Sequence, residues 1–302
     1  MKFTLYPFAA FLTVMLISPV SMAEEDSNGI KLRICVEESE FPPFNYFSRV
    51  DGYKTHDSDG YDIQLLYRLF TPPRWQLQII TLPWPRCMLE VEQGKIDAAM
   101  SASANPERRR KFLLSRSYYY LTPGVVFLKR RFPQGLRFNS LTELAQLGTV
   151  CGIRGFNYRN FGWDNSQPLS LSKDLPLIPE LLIRGRCDFF LARLEIFSGT
   201  LKLMDRDPQV IGLATQAIPN TRPEPFYMLV SRQSPHKMAL LEEFNTGVTQ
   251  LEKSGELQLL LQTFTGHCSP VLLLQKPSVI PPETKCCVPN AWPDKAPCLP
   301  LE

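Results

Sequence analysis

The chain has 302 residues, of which 44% are apolar and 21% charged, with a net charge of +3. That length allows one large or two medium domains, and the composition is that of an ordinary globular protein. The charge is too small, and the arginines too scattered, for a nucleic-acid-binding surface.

Lys2, a compact apolar run over residues 8–17 and the small-x-small triplet Ser21-Met22-Ala23 predict a secretory signal peptide cleaved after Ala23, and so an exported protein. The apolar run is short for a membrane span, and no cysteine near the cleavage site offers a lipid anchor. Export makes the eight cysteines readable as disulfide partners. Cys35, Cys87, Cys151 and Cys187 lie in the body, and Cys268, Cys286, Cys287 and Cys298 near the end. Both sets are even, but spacing does not fix the pairing. There is no Cys-x-x-Cys, and His56, His236 and His267 are far apart, so no zinc site and no cofactor are expected.

In chain order, residues 31–37 alternate as a strand. Pro42 and Pro43 then make a rigid turn that carries Phe41 and Phe44. Residues 48–59 read as a hairpin or loop, and Gly60-Tyr61-Asp62 opens a helix that Pro72-Pro73 ends. A strand over 75–81, a helix over 86–93 closed by Gly94 and an apolar strand over 96–100 complete a β-α-β-α-β unit. That order implies a parallel sheet with helices on its faces.

Residues 101–108 are expected to be a loop of small and polar residues at the carboxyl end of that strand, the place where open α/β sheets bind ligands. An arginine at such a loop holds a carboxylate through two parallel hydrogen bonds. The plainer reading of the Glu107-to-Lys111 run is a solvated face, which suits Arg109, Arg110 and Lys111. Tyr118, Tyr119 and Tyr120 read as core-packing residues.

A second unit follows the same plan. Strands are expected over 121–129, 149–153 and 187–192, with helices over 141–147 and 175–184 and a weakly marked helix after the turn at 154–157. Ser140 and Glu143 form a capping box. A returning strand at 226–231 and helices over 237–251 and 255–264 close the body. Residues 269–302 hold eight prolines without periodicity and read as a tail.

Taken in order, Phe41-Pro-Pro-Phe44, Gly60-Tyr-Asp62-Ile-Gln-Leu65, Trp84, Gly94-Lys-Ile-Asp97, Pro106-Glu-Arg108, Ser115-Arg-Ser-Tyr118-Tyr119, Val150-Cys-Gly-Ile-Arg-Gly155 and Gly185-Arg-Cys-Asp188 resemble family 3 of the bacterial extracellular solute-binding proteins. The resemblance runs over residues 30–266 and leaves out the signal peptide and the tail. It implies a type II periplasmic-binding fold: two α/β lobes, each a mostly parallel sheet flanked by helices, joined by two hinge crossings. Lobe 1 would be residues 24–121 and 230–266, and lobe 2 residues 122–229, with a tail over 267–302. It also implies a monomer that captures a small carboxylate-bearing solute between the lobes, for an ABC permease or a membrane sensor.

Carried over by position, Arg108 matches the arginine that holds a ligand carboxylate, and Ser103 a serine that assists it. Ser101 matches a residue whose backbone meets the ligand amine, while Phe41 and Trp84 match its aromatic walls. Glu38 falls where members binding basic amino acids place an acid, and Asn157 lies in the lobe-2 turn beside the ligand. The resemblance also sets Cys151 beside Cys187, and more weakly Cys35 with Cys87.

Three departures stand out: Asn105 replaces a threonine, Gly155-Phe156 replaces a Gly-Thr or Gly-Ser cradle, and Arg193 replaces the aspartate that pairs with the ligand ammonium. An arginine there repels an ammonium. Either Glu195 supplies the acid, or the ligand lacks a free amine or carries a second anion, or the cleft no longer takes a small solute. Alternatively, Arg193 points away from the cleft to the surface. A different class is an enzyme on this scaffold, similar to cyclohexadienyl dehydratases, with Glu38, Glu40 or Glu195 as general acid. Another is a sensory or scaffold protein that engages a partner through its lobes or tail. No catalytic Ser-His-Asp, Cys-His or metal constellation is visible, so a binding protein is the expectation.

Overall fold

The computed structural model describes residues 29–164 and 167–265 together with Met1. The expected signal peptide beyond Met1, and the expected tail with its four cysteines, lie outside the described residues.

The chain runs through β1 (Ile30–Glu37), the hairpin β2 (Tyr46–Val50) and β3 (Tyr53–Asp59), α1 (Tyr61–Leu69), β4 (Trp75–Leu82), α2 (Trp84–Glu92), β5 (Ala98–Ser103), α3 (Pro106–Lys111), β6 (Phe112–Leu114) and β7 (Tyr119–Leu121). It continues with β8 (Pro123–Leu128), α4 (Leu141–Leu147), β9 (Val150–Ile153), β10 (Ser170–Ser172), α5 (Ile178–Ile183), β11 (Phe189–Arg193), α6 (Leu194–Leu203) and β12 (Leu213–Ala217). It returns through β13 (Glu224–Ser231) to α7 (Lys237–Ser254) and α8 (Glu256–Thr265).

Two sheets result. The first has the order β4-β1-β5-β13-β6, with β7 also on β13, and the second β10-β9-β11-β8-β12. In each, three strands are parallel (β4, β1, β5; β10, β9, β11) and the strand arriving from the other lobe runs antiparallel to them. The second unit therefore departs from the all-parallel plan: β8 is a crossing strand, and its direction is set by its entry from the first sheet. The sequence reading ran the second lobe to residue 229, but β13 pairs with β5, β6 and β7. The strands of the second sheet end at Ala217, and residues 218–223 make the return.

Local chemistry explains the elements. Gly60 takes φ 118°, and a Cβ there would stand 2.4 Å from the Phe44 carbonyl oxygen, so only glycine lets α1 start against the Phe41–Phe44 turn. Asp97 of the Gly-Lys-Ile-Asp motif is buried; it accepts from the Arg33 amide at 2.9 Å and the Ser234 hydroxyl at 2.8 Å, tying β1 and β5 to the turn after β13. Asn105 caps α3 through the Arg108 amide at 2.8 Å, doing the work of the expected threonine. The expected loop at 101–108 is accordingly shorter: β5 runs on to Ser103, and α3 begins at Pro106.

The helix expected over 175–184 divides into a 3-10 turn (Leu175–Leu177) and α5, because Pro176 and Pro179 each fit only a first turn. The weakly marked helix after residue 157 is a single 3-10 turn, Arg159–Phe161, ended by Gly162 at φ 85°. Helix α6 and strand β12 lie where sequence patterning assigned nothing.

Cys35 is disulfide-bonded to Cys87, and Cys151 to Cys187. The core of the first lobe is aromatic: Phe44 stacks on Tyr119 at 3.9 Å and Tyr119 on Phe226 at 5.0 Å, and Tyr61 and Tyr118 lie beside them. Each such ring contributes about 1.5–3 kcal/mol on burial. No helix among the described residues is long and apolar enough to cross a membrane.

Candidate functional site

The carboxyl ends of β1, β5, β9 and β11 converge on one cavity between the lobes, the position where α/β sheets place ligands. Lobe 1 supplies Glu37, Phe41, Asn45, Trp84, Ser101, Ser103 and Arg108. The opposite wall is Phe156, Asn157 and Arg193, and Phe226 of β13 lies between. The cavity volume is about 20 Å³, room for about one water. The lobes are therefore closed upon each other.

Arg108 is the central cation. It is buried and donates to the Ser103 carbonyl at 2.8 Å, the Ser103 hydroxyl at 3.3 Å and, across the cleft, the Gly155 carbonyl at 3.3 Å. Its guanidinium lies 5.6 Å from the Trp84 ring centroid. All these acceptors are neutral, and no carboxylate stands within ion-pair distance of it among the described residues. Burial, then the charge of Arg193, lowers its pKa to about 10, so it remains a cation at neutral pH.

Arg193 faces the cleft and is not a surface residue. It is buried against Phe161, Phe226 and Phe156, with ring centroids 4.9, 5.2 and 5.7 Å away. It is already paired: its Nε is 2.8 Å from Glu224 Oε2, and its Nη2 donates to the Asn157 carbonyl at 2.9 Å. Asn160 donates to the other Glu224 oxygen at 2.8 Å and to the Ala104 carbonyl at 2.9 Å. Asn157 donates to Ser103 Oγ at 3.1 Å. Asn157 and Asn160 thus stitch lobe 2 to the end of β5. Phe41 and Phe156 meet edge to face across the cleft, 5.8 Å apart.

Glu195, offered by sequence as the replacement acid, does not reach the cavity. It sits in the first turn of α6 and accepts from the Thr122 amide at 2.9 Å and the Thr122 hydroxyl at 2.7 Å, on the far side of the crossing segment. Two residues along a helix turn a side chain well away from Arg193. The acid beside Arg193 is Glu224, at the start of β13, which sequence reasoning did not single out. Its only sequence signal is a carboxylate between Pro223 and Pro225 just before a strand.

Glu38 is exposed and lies outside the cavity lining, whereas Glu37 is buried and lines it. Strand side chains alternate, so the last residue of β1 points inward and the next outward. Ser39 donates to Glu37 through its amide at 3.1 Å and its hydroxyl at 3.0 Å, but burial dominates and raises the Glu37 pKa. Glu40 turns the other way and pairs with Arg49 at 2.7 Å.

Ser101 carries φ 56°, and its amide donates to the Tyr118 hydroxyl at 3.1 Å. Its hydroxyl donates to Asp62, and Tyr119 donates to that hydroxyl at 2.7 Å. Asn45 completes the cluster, donating to Asp62 at 2.9 Å. Its Oδ1, on a cavity-lining side chain, is buried with no hydrogen-bond partner among the described residues. Asp62 is fully buried, and burial raises its pKa to about 7 against three hydrogen bonds that lower it. No group of three metal-ligating side chains occurs among the described residues.

Two α/β lobes with crossing strands, closed on a cavity at their strand ends, define a two-lobed binding protein of the type II periplasmic class. The chain belongs to the bacterial extracellular solute-binding proteins, family 3, whose model matches residues 32–267. Among solved structures it resembles an amino acid ABC transporter substrate-binding protein from Streptococcus pneumoniae bound to L-arginine: 24% identity, 77% of this chain and 93% of that one, TM-score 0.63. A second S. pneumoniae ABC-uptake binding protein, with bound histidine, is 18% identical over 78% of this chain and 92% of that one, TM-score 0.63. A histidine kinase sensor domain with similarity to periplasmic binding proteins is 15% identical over 80% and 98%, TM-score 0.63. No curated protein matches the chain.

Proposed function

We propose that this protein is a periplasmic solute-binding protein that captures a small amino-acid-like carboxylate between its lobes and presents it to an ABC permease. The observation that carries this reading is Arg108: a buried guanidinium held by neutral acceptors at the cavity wall, with no carboxylate of the described chain to neutralise it. A buried cation is costly unless paired, and a ligand carboxylate is the natural counter-ion. Among the described residues that line the cavity, the lobe-2 wall offers the ligand's cationic end no acid, and Glu224 of the return strand beside it is committed to Arg193. Glu37 and the unpartnered Oδ1 of Asn45 supply acceptors on lobe 1 instead. The ion pair also removes the reason for Arg193 to seek a second anion.

A cavity of about 20 Å³ does not hold an amino acid. Binding therefore requires the lobes to separate and reclose, replacing the contacts of Arg108 with Gly155 and of Asn157 with Ser103 by contacts to the solute. The likeness to a sensor domain supports a second use of the same motion, signalling to a membrane partner.

A thermal-shift screen of the mature protein against amino acids, dicarboxylates and opines tests the proposal. A ligand at 100 times its Kd adds about 2.7 kcal/mol of stability. An amino-acid hit that disappears in Arg108→Ala is the expected result. No hit across the panel, or a hit that Arg108→Ala leaves unchanged, overturns it.

A further inference from the structure

A second and larger cavity, of about 550 Å³, lies behind the cleft. Its walls come from both lobes: Pro42, Pro43 and Tyr46 on one side, and Phe197, Leu201 and Leu213 on the other. The lobes approach closely at its floor, where a Cβ on Gly199 of α6 would stand 2.7 Å from the Pro42 carbonyl oxygen. One margin is β12, the edge strand of the second sheet, with no strand on its outer side among the described residues. Interiors are close-packed, and natural edge strands are usually covered. A largely apolar groove with an open strand edge is built for an extended apolar segment.

We propose that the occupant is this chain's own C-terminal segment, residues 271–274. Helix α8 delivers the chain to the groove, since Phe264 and Thr265 at its end line it. Six residues beyond Thr265 come Val271, Leu272, Leu273 and Leu274, between Pro270 and Pro277. Six residues reach about 20 Å when extended, and they start at Thr265, which itself lines the groove. Four consecutive apolar residues in a segment otherwise rich in proline and polar groups need cover, and the groove is apolar, adjacent and edged by a strand.

Amide hydrogen exchange on the full exported chain tests this with two variants. Leu272→Asp/Leu273→Asp makes the segment unfit for the groove, and Ser198→Arg obstructs the groove without touching the tail. The expected result is that exchange in β12 and at residues 271–276 rises about tenfold or more in both variants, with β4 and α2 unchanged. Equal exchange in the parent and the tail variant overturns the proposal. So does protection of β12 that grows with protein concentration, which assigns the groove to a second copy.

Discussion

Arg193 and Glu224 form a solvent-excluded ion pair, Nε to Oε2 2.8 Å, at the lobe-2 wall of the cleft. The pair accounts for an arginine at a position where the family pattern has an acid. The carboxylate beside it stands on the return strand, and the arginine neutralises it, anchors the Asn157 carbonyl and packs among three phenylalanines.

Breaking that pair leaves a buried charge without a partner. Glu224→Gln is expected to cost about 3–5 kcal/mol of stability, whereas Arg193→Met/Glu224→Leu costs much less. Urea denaturation of both variants checks the ordering.

In the proposed binding mode Glu37 meets the ammonium end of the solute and Arg108 its carboxylate. Glu37→Gln should weaken binding of a solute with an ammonium group about tenfold or more, since a charge-assisted hydrogen bond contributes about 1.5–3 kcal/mol. It should spare a carboxylate ligand that lacks the amine. Calorimetric titration with a matched pair of ligands reads the difference.

Stability should fall as pH rises from 5 to 7. Burial raises Asp62 to about 7, so across that window the folded state holds a proton that the unfolded state has released. The contribution is full below about pH 4 and lost as pH passes 7, with a slope of up to about 1.4 kcal/mol per pH unit. Burial raises Glu37 and Glu195 in the same direction. Glu40, lowered through Arg49, acts oppositely but only in more acid solution. Asp62→Asn should flatten the slope, measured as urea midpoints between pH 5 and 8.

The two disulfides close loops of 52 and 36 residues of sequence separation. Chain entropy alone assigns each about 4 kcal/mol. Cys151→Ser/Cys187→Ser should lower the thermal midpoint by several degrees, and reduction of the parent protein should do the same.

The first half of the fold was legible because its signals are local. The alternating strand at β1, the Gly60 opening of α1 and the glycine after α2 each act within a few residues. Helix α6 was not, because it lacks a side-chain cap and Ser198-Gly199-Thr200 interrupts its apolar positions, so the helical period is broken mid-helix. Among site residues, Arg108 and Asn157 reach the cleft, as their motif positions imply. Glu38 and Glu195 do not, for reasons of strand alternation and helical rotation that an offset of one or two residues decides.

What the sequence determined by itself was the two-lobe α/β plan, the family pattern and an arginine poised for a carboxylate, since these rest on short-range periodicity and on ordered motifs. What only the tertiary structure decided was the charge balance of the cleft. Glu224 stands 31 residues from Arg193, and nothing local links a carboxylate between two prolines to an arginine at the end of β11. Their meeting depends on where the return strand crosses between the lobes. A buried charge is defined by what the fold brings beside it, and no sequence window contains that neighbour.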